Sequence, residues 1–147
     1  MGDFFMKKDI EVLNKIKTIV DMGVINIDEV LDKVSDACLE KIMIDEKKEY
    51  LCLKSDITDL LNDYDEKGSN VGIVTRISND IYTNMKIKGK DNDKEIAKMM
   101  VEGTNKGILE VTSLINEKKY KNNKISKVLN KLLKTLESNI IDLKKYL

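Results

Sequence analysis

The chain has 147 residues, and its 26 basic and 26 acidic side chains leave a formal net charge of zero. That balance gives no overall pull toward nucleic acid or an anionic membrane. With 41% apolar and 35% charged residues it is too apolar for a disordered chain, and no stretch approaches the roughly 20 apolar residues that cross a bilayer.

A chain of this length suits one domain over residues 1–147, able to bury roughly two-thirds of its unfolded surface in a single core. Residues 1–8 are expected to be a flexible or partly ordered N-terminal segment. They show neither the apolar core nor the cleavage site of a signal peptide, so the expectation is a cytoplasmic protein. Proline is absent, which leaves turns to Gly, Asn and Asp.

From Asp9 onward, Leu13, Ile16, Val20, Val24, Ile27, Leu31 and Val34 recur every three or four positions, the spacing of a helix buried along one face. Asp21-Met22-Gly23 looks like a helix stop. The stripe stays in register through Gly23, however, and predicts one helix. Ser35 or Asp36 can cap a second helix with the stripe Leu39, Met43, Tyr50, Leu53, Ile57, Leu60 and Tyr64, ending before Gly68. These two make a hairpin with a very short turn.

Ser69-Asn70 can cap a shorter helix carrying Val74, Ile77, Ile81 and Met85, which runs into the polar stretch Lys88-Gly89-Lys90-Asp91-Asn92-Asp93. A third long helix is predicted from about Asp93 to Glu117, with Ile96, Met100, Gly103, Gly107, Val111 and Leu114 inward. The last runs from about Asn122 to Tyr146, with Leu129, Leu132, Leu136, Ile140, Leu143 and Leu147 inward. The four long helices have matching lengths. The predicted fold is therefore an all-α, ferritin-like four-helix bundle: two helical hairpins joined by a crossover with a short extra helix. An up-and-down bundle with an extra helix is the alternative.

Charge is spread unevenly along the chain. Residues 26–66 hold thirteen acids and five lysines, and residues 117–147 hold nine lysines and three acids. Packing of an acidic hairpin beside a basic helix explains this without a polyanion partner. Arg76 is the sole arginine, and lysine is the poorer group for bidentate phosphate recognition. Cys38 and Cys52 fall in one predicted helix, roughly 21 Å apart at the standard rise, beyond disulfide reach. They are expected to be two buried, unpaired thiols.

The segment Ile96-Ala97-Lys98-Met99-Met100-Val101-Glu102-Gly103-Thr104-Asn105-Lys106-Gly107-Ile108, with the closing Leu143-Lys144-Lys145-Tyr146-Leu147, resembles a group of small ferritin-like proteins of clostridia and related Firmicutes. The Gly-Thr-Asn-x-Gly stretch carries most of the likeness. The resemblance implies the bundle and its crossover. It implies no activity.

Active ferritin-like bundles build a di-metal centre from a Glu on each of two helices and a Glu-x-x-His on each of the others. This chain has no histidine, so both His positions are lost, as are Cys-His and Ser-His nucleophile pairs. Carboxylates at mid-helix height are Asp21, Glu46, Glu49, Glu102 and Glu137. Only Glu46 lies on a stripe, between Met43 and Tyr50. Asp21, Glu102 and Glu137 fall on flanks, and Glu49 at an edge. Glu46 is expected to find a Tyr hydroxyl or a snorkelling Lys, or to anchor a small cavity. Gly103 and Gly107, four apart, are expected to be helix-contact points or to line that cavity.

No catalytic residue, cofactor or metal is predicted. The expected function is protein association, with a second copy as one partner and neither nucleic acid nor membrane involved. The alternative is a degenerate carboxylate site, drawn from Glu46, Glu49, Glu102 and Glu137, that binds a metal ion or small ligand in the core.

Overall fold

The computed structural model describes residues 2–64 and 90–147. Four long helices account for most of them: α1 (Gly2–Val30), α2 (Ala37–Asn62), α3 (Lys90–Glu117) and α4 (Asn123–Leu143). Short 3-10 turns, Leu31–Lys33 and Lys144–Tyr146, extend α1 and α4. No strand occurs among the described residues. The predicted short helix from Ser69-Asn70, with Val74, Ile77, Ile81 and Met85, lies outside them.

Local chemistry sets the helix ends. Asp36 caps α2, its carboxylate accepting from the backbone N–H groups of Cys38 and Leu39, and Asn122 caps α4 by accepting from Lys124. Each satisfies donors that have no partner within the first turn. Lys118 ends α3 in the left-handed region (φ 49°), the conformation that commonly stops a helix and that glycine adopts at least cost. Helix α1 begins at Gly2, seven residues before the predicted start, and turns to 3-10 geometry at Leu31. It passes unbroken through Gly23.

Glycine is required at position 23 by packing. A Cβ there would lie 2.8 Å from the Tyr50 ring of α2, so the bare backbone lets the two helices of the first hairpin close on an aromatic side chain. The predicted stripes form the core. Leu13, Ile16, Val20 and Ile27 meet Leu39, Met43, Leu53 and Ile57, and both sets meet Ile96, Val111, Leu129 and Leu132. Leu147, predicted inward, is exposed, because the chain leaves the helix after Tyr146. Cys38 and Cys52 share α2 as predicted but are exposed instead of buried. Both sit off the apolar stripe, which leaves their thiols on the outer face.

Two buried clamps reveal the order of the ends. At one end the Asp93 carboxylate, at the start of α3, accepts from the backbone N–H of Ser35 (2.8 Å) and Asp36 (3.0 Å) in the α1–α2 turn. At the other, the Asp9 carboxylate accepts from the Tyr64 hydroxyl (2.7 Å) after α2 and from the Lys121 N–H (2.8 Å) in the α3–α4 turn. Helix α2 therefore ends at the opposite pole from the start of α3, and the two run in the same direction. α1 packs on α2, α3 on α4 and α2 on α4, while α1 meets α3 more sparsely.

Candidate functional site

The stripe of α2 carries one acid. Its three- and four-residue steps run Leu39, Met43, Glu46, Tyr50, Leu53, Ile57, so the same periodicity that buries the leucines buries Glu46, which is 3% exposed. Among the described residues neither carboxyl oxygen has a hydrogen-bond partner. Burial, reinforced by the charges of Asp142 and Glu49, pushes its pKa up to about 8. A carboxyl in such a place keeps its proton, since ionising it without a partner would cost far more than leaving it neutral.

One turn further along, Tyr50 is also buried, and its hydroxyl accepts a hydrogen bond from Asn139 Nδ2 of α4 at 3.2 Å. Burial, then the Glu46 charge, drives its pKa upward, so it stays a neutral phenol. The Tyr50 hydroxyl expected to serve Glu46 instead accepts from Asn139 across the bundle, and neither it nor a lysine gives the acid a hydrogen bond. Thr104 of α3 completes this polar layer, donating to the Met100 carbonyl at 2.6 Å.

The remaining candidates do not converge on Glu46. Glu49, Glu102 and Glu137 are exposed, each one or two residues off its helix's buried stripe. No group of three His, Cys, Asp or Glu residues among the described residues could hold a metal ion. With Glu46 neutral and alone inside, Asp21 taken up by two lysines, and Glu49, Glu102 and Glu137 outside, the described residues do not bring together the converging anionic oxygens that a di-metal centre needs.

Asp21, predicted on a flank, is instead buried at 7% exposure. It pairs with Lys17 of its own helix and with Lys54 of α2, both at 2.9 Å. The i,i+4 spacing of Lys17 and Asp21 was a visible cue for a local pair. The third member comes from another helix, and only the packing of α1 on α2 brings it in.

The two glycines of α3 part company. A Cβ on Gly107 would meet Leu136 at 3.3 Å and Ile19 at 3.6 Å, so this glycine lies where α1 and α4 approach α3. A Cβ on Gly103 would meet nothing within 4 Å. Gly103 is exposed and touches no neighbouring helix, contrary to the helix-contact expectation. It lines a cleft of about 380 Å³ between α1 and α3.

No family model matches the chain, and no curated protein or solved structure matches it. The outer surface also has a pattern. Acidic α2 lies beside basic α4, joined by Lys131–Asp56 at 3.2 Å, as the uneven charge distribution predicts. Exposed Asp45, Glu49 and Asp59 of α2 alternate with exposed Lys41, which pairs with Asp45 at 2.8 Å, and Lys48, which stands beside Glu49 in the groove toward α4, whose exposed Lys127, Lys131 and Lys134 form a basic row. No helix among the described residues is long and apolar enough to cross a membrane.

Proposed function

We propose that the protein is a ferritin-like bundle without di-metal chemistry that acts by associating with protein, a second copy of itself included. Two antiparallel hairpins whose middle helices run the same way are the connection typical of ferritin-like folds, which supports the family resemblance of the sequence. The observation that carries the functional reading is the isolation of Glu46. Its neutral, unpartnered carboxyl stands where such a bundle would assemble several anionic ligands. Glu49, Glu102 and Glu137 face outward, so none of them joins Glu46 in the core.

The α2–α4 face supports self-association in particular. It presents Asp45, Glu49, Asp56 and Asp59 of α2, interleaved with Lys41 and Lys48, next to the basic row of α4. A two-fold axis parallel to the helices sets α2 of one copy against α4 of the other, so that opposite charges meet twice. The test joins metal analysis with light scattering. The purified protein should hold no stoichiometric iron or manganese and should show twice the 16.8 kDa chain mass at low salt. Molar salt, or the double variant Lys131→Glu/Lys134→Glu, should return it to the monomer. A monomer at all concentrations that carries stoichiometric metal would refute the proposal in favour of the carboxylate site.

A further inference from the structure

We propose that the groove between α2 and α4 binds a small organic anion, one acidic head group on a short apolar body. It shares a face with the association proposed above but needs only one copy of the chain, so either can fail alone.

The periodicity of two helices builds the groove. Steps of three and four residues along α4 put Lys131, Lys134 and Ser138 in one row, and α2 sets Lys48 and Cys52 opposite them, with buried Leu53 beneath. The space between the two walls is about 680 Å³, within the range of small-molecule sites.

Charge selects the ligand. Three lysines from two helices border this space against one acid, Glu49. Lys131 already answers Asp56 at 3.2 Å, whereas no ion pair among the described residues takes up Lys48 or Lys134. An ammonium is a compact charge with three donors and no planar preference, so a carboxylate, sulfonate or phosphate monoester head suits it equally. The hydroxyls of Thr135 and Ser138 add donors on the same wall. Glu49 and Asp56 interrupt the basic strip, which disfavours a chain of phosphates and leaves room for a single anionic head. Exposed ion pairs contribute little by themselves. The apolar body supplies the rest, against Leu53 and the methylene stems of the lysines.

Cys52 reports on the site, because its exposed thiol lines the groove, and exposed Cys38, near the start of the same helix, is the internal control. The full chain is labelled with the neutral reagent methyl methanethiosulfonate during titration with one of three probes. These are naphthalene-1-sulfonate, its neutral counterpart 1-(methylsulfonyl)naphthalene, and the cation 1-naphthylmethylammonium. Peptide mass spectrometry follows each thiol. The sulfonate should slow labelling of Cys52 saturably and leave Cys38 unchanged, with the neutral compound roughly fivefold weaker and the cation weaker still. Lys48→Gln and Lys134→Gln should each weaken the sulfonate by about two- to fivefold, whereas Glu49→Gln should tighten it. All three side chains are exposed, so these changes spare the core. The same titration on Asp45→Lys/Asp59→Lys, which keeps the groove lining and repels a second copy, ensures that burial of Cys52 in a dimer cannot pass for failure. Light scattering of the parent scores the association separately. Unprotected Cys52 in both proteins, equal protection of Cys38, or protection by the neutral compound or the cation as strong as by the sulfonate would each overturn the proposal.

Discussion

Glu46 shows how a single residue ties stability to pH. The unfolded chain ionises it near 4.5, whereas the folded protein holds the proton to about pH 8. Between those values the native state binds more protons than the unfolded one, so stability is full below about pH 4.5 and falls as pH rises toward 8. Gln at this position has no proton to lose. Urea unfolding should therefore show Glu46→Gln gaining on the parent steadily from about pH 4.5 to 8, by on the order of 4 kcal/mol in all. Parallel curves would mean that the carboxyl ionises in the folded protein without penalty.

Two glycines test packing at the same scale with opposite signs. Gly103→Ala adds a methyl where nothing lies within 4 Å, so it should raise stability by about 0.8 to 1 kcal/mol, the helix-propensity gain alone. Gly23→Ala drives a methyl to 2.8 Å from a Tyr50 ring that Asn139 holds in place. Overpacking of this kind costs roughly 1 to 3 kcal/mol. The melting temperatures should order as Gly103→Ala, parent, Gly23→Ala. In the sequence Gly23 reads as part of an apparent helix stop and Gly103 as an inward stripe position, and only the facing helix decides what each one meets.

Among the elements, α2 carries most of the legible and most of the misread information. Its apolar stripe, the Asp36 cap and the placement of Glu46 follow from spacing and residue type. The exposure of its cysteines does not, because thiols are small apolar groups that suit either side of a stripe edge. Cys38 and Cys52 lie fourteen positions apart on one straight helix and both face outward. Mild oxidant should join them between molecules and never within one. Mass spectrometry of peptides from the native, oxidised protein checks this, and an intramolecular Cys38–Cys52 peptide would require α2 to break between them.

For the whole molecule, Asp9 and Asp93 hold the hairpins together at opposite poles. Asp93 serves two backbone N–H groups of the α1–α2 turn, so Asp93→Ala leaves both without their acceptor and should cost about 1 to 3 kcal/mol. Hydrogen exchange should quicken at Ser35 and Asp36 while Lys121, served by Asp9 at the other pole, keeps its protection. Equal loss at both ends would indicate that the poles do not open independently.

Four amphipathic helices, two short turns, the absence of histidine and the inward position of Glu46 were all determined by the sequence itself. Each depends on local spacing or composition, and a helix repeats its environment every three or four residues. Three features were decided by tertiary structure alone. Lys54 reaches Asp21 from another helix and turns a flank residue into a buried ion pair. Asn139 of α4 donates to the Tyr50 hydroxyl, while neither oxygen of Glu46 finds a partner. The sparse meeting of α1 with α3 opens space at Gly103 while Leu136 closes on Gly107. In every case the deciding atom belongs to a different helix, and its position depends on how the helices pack, which periodicity along one chain segment does not encode.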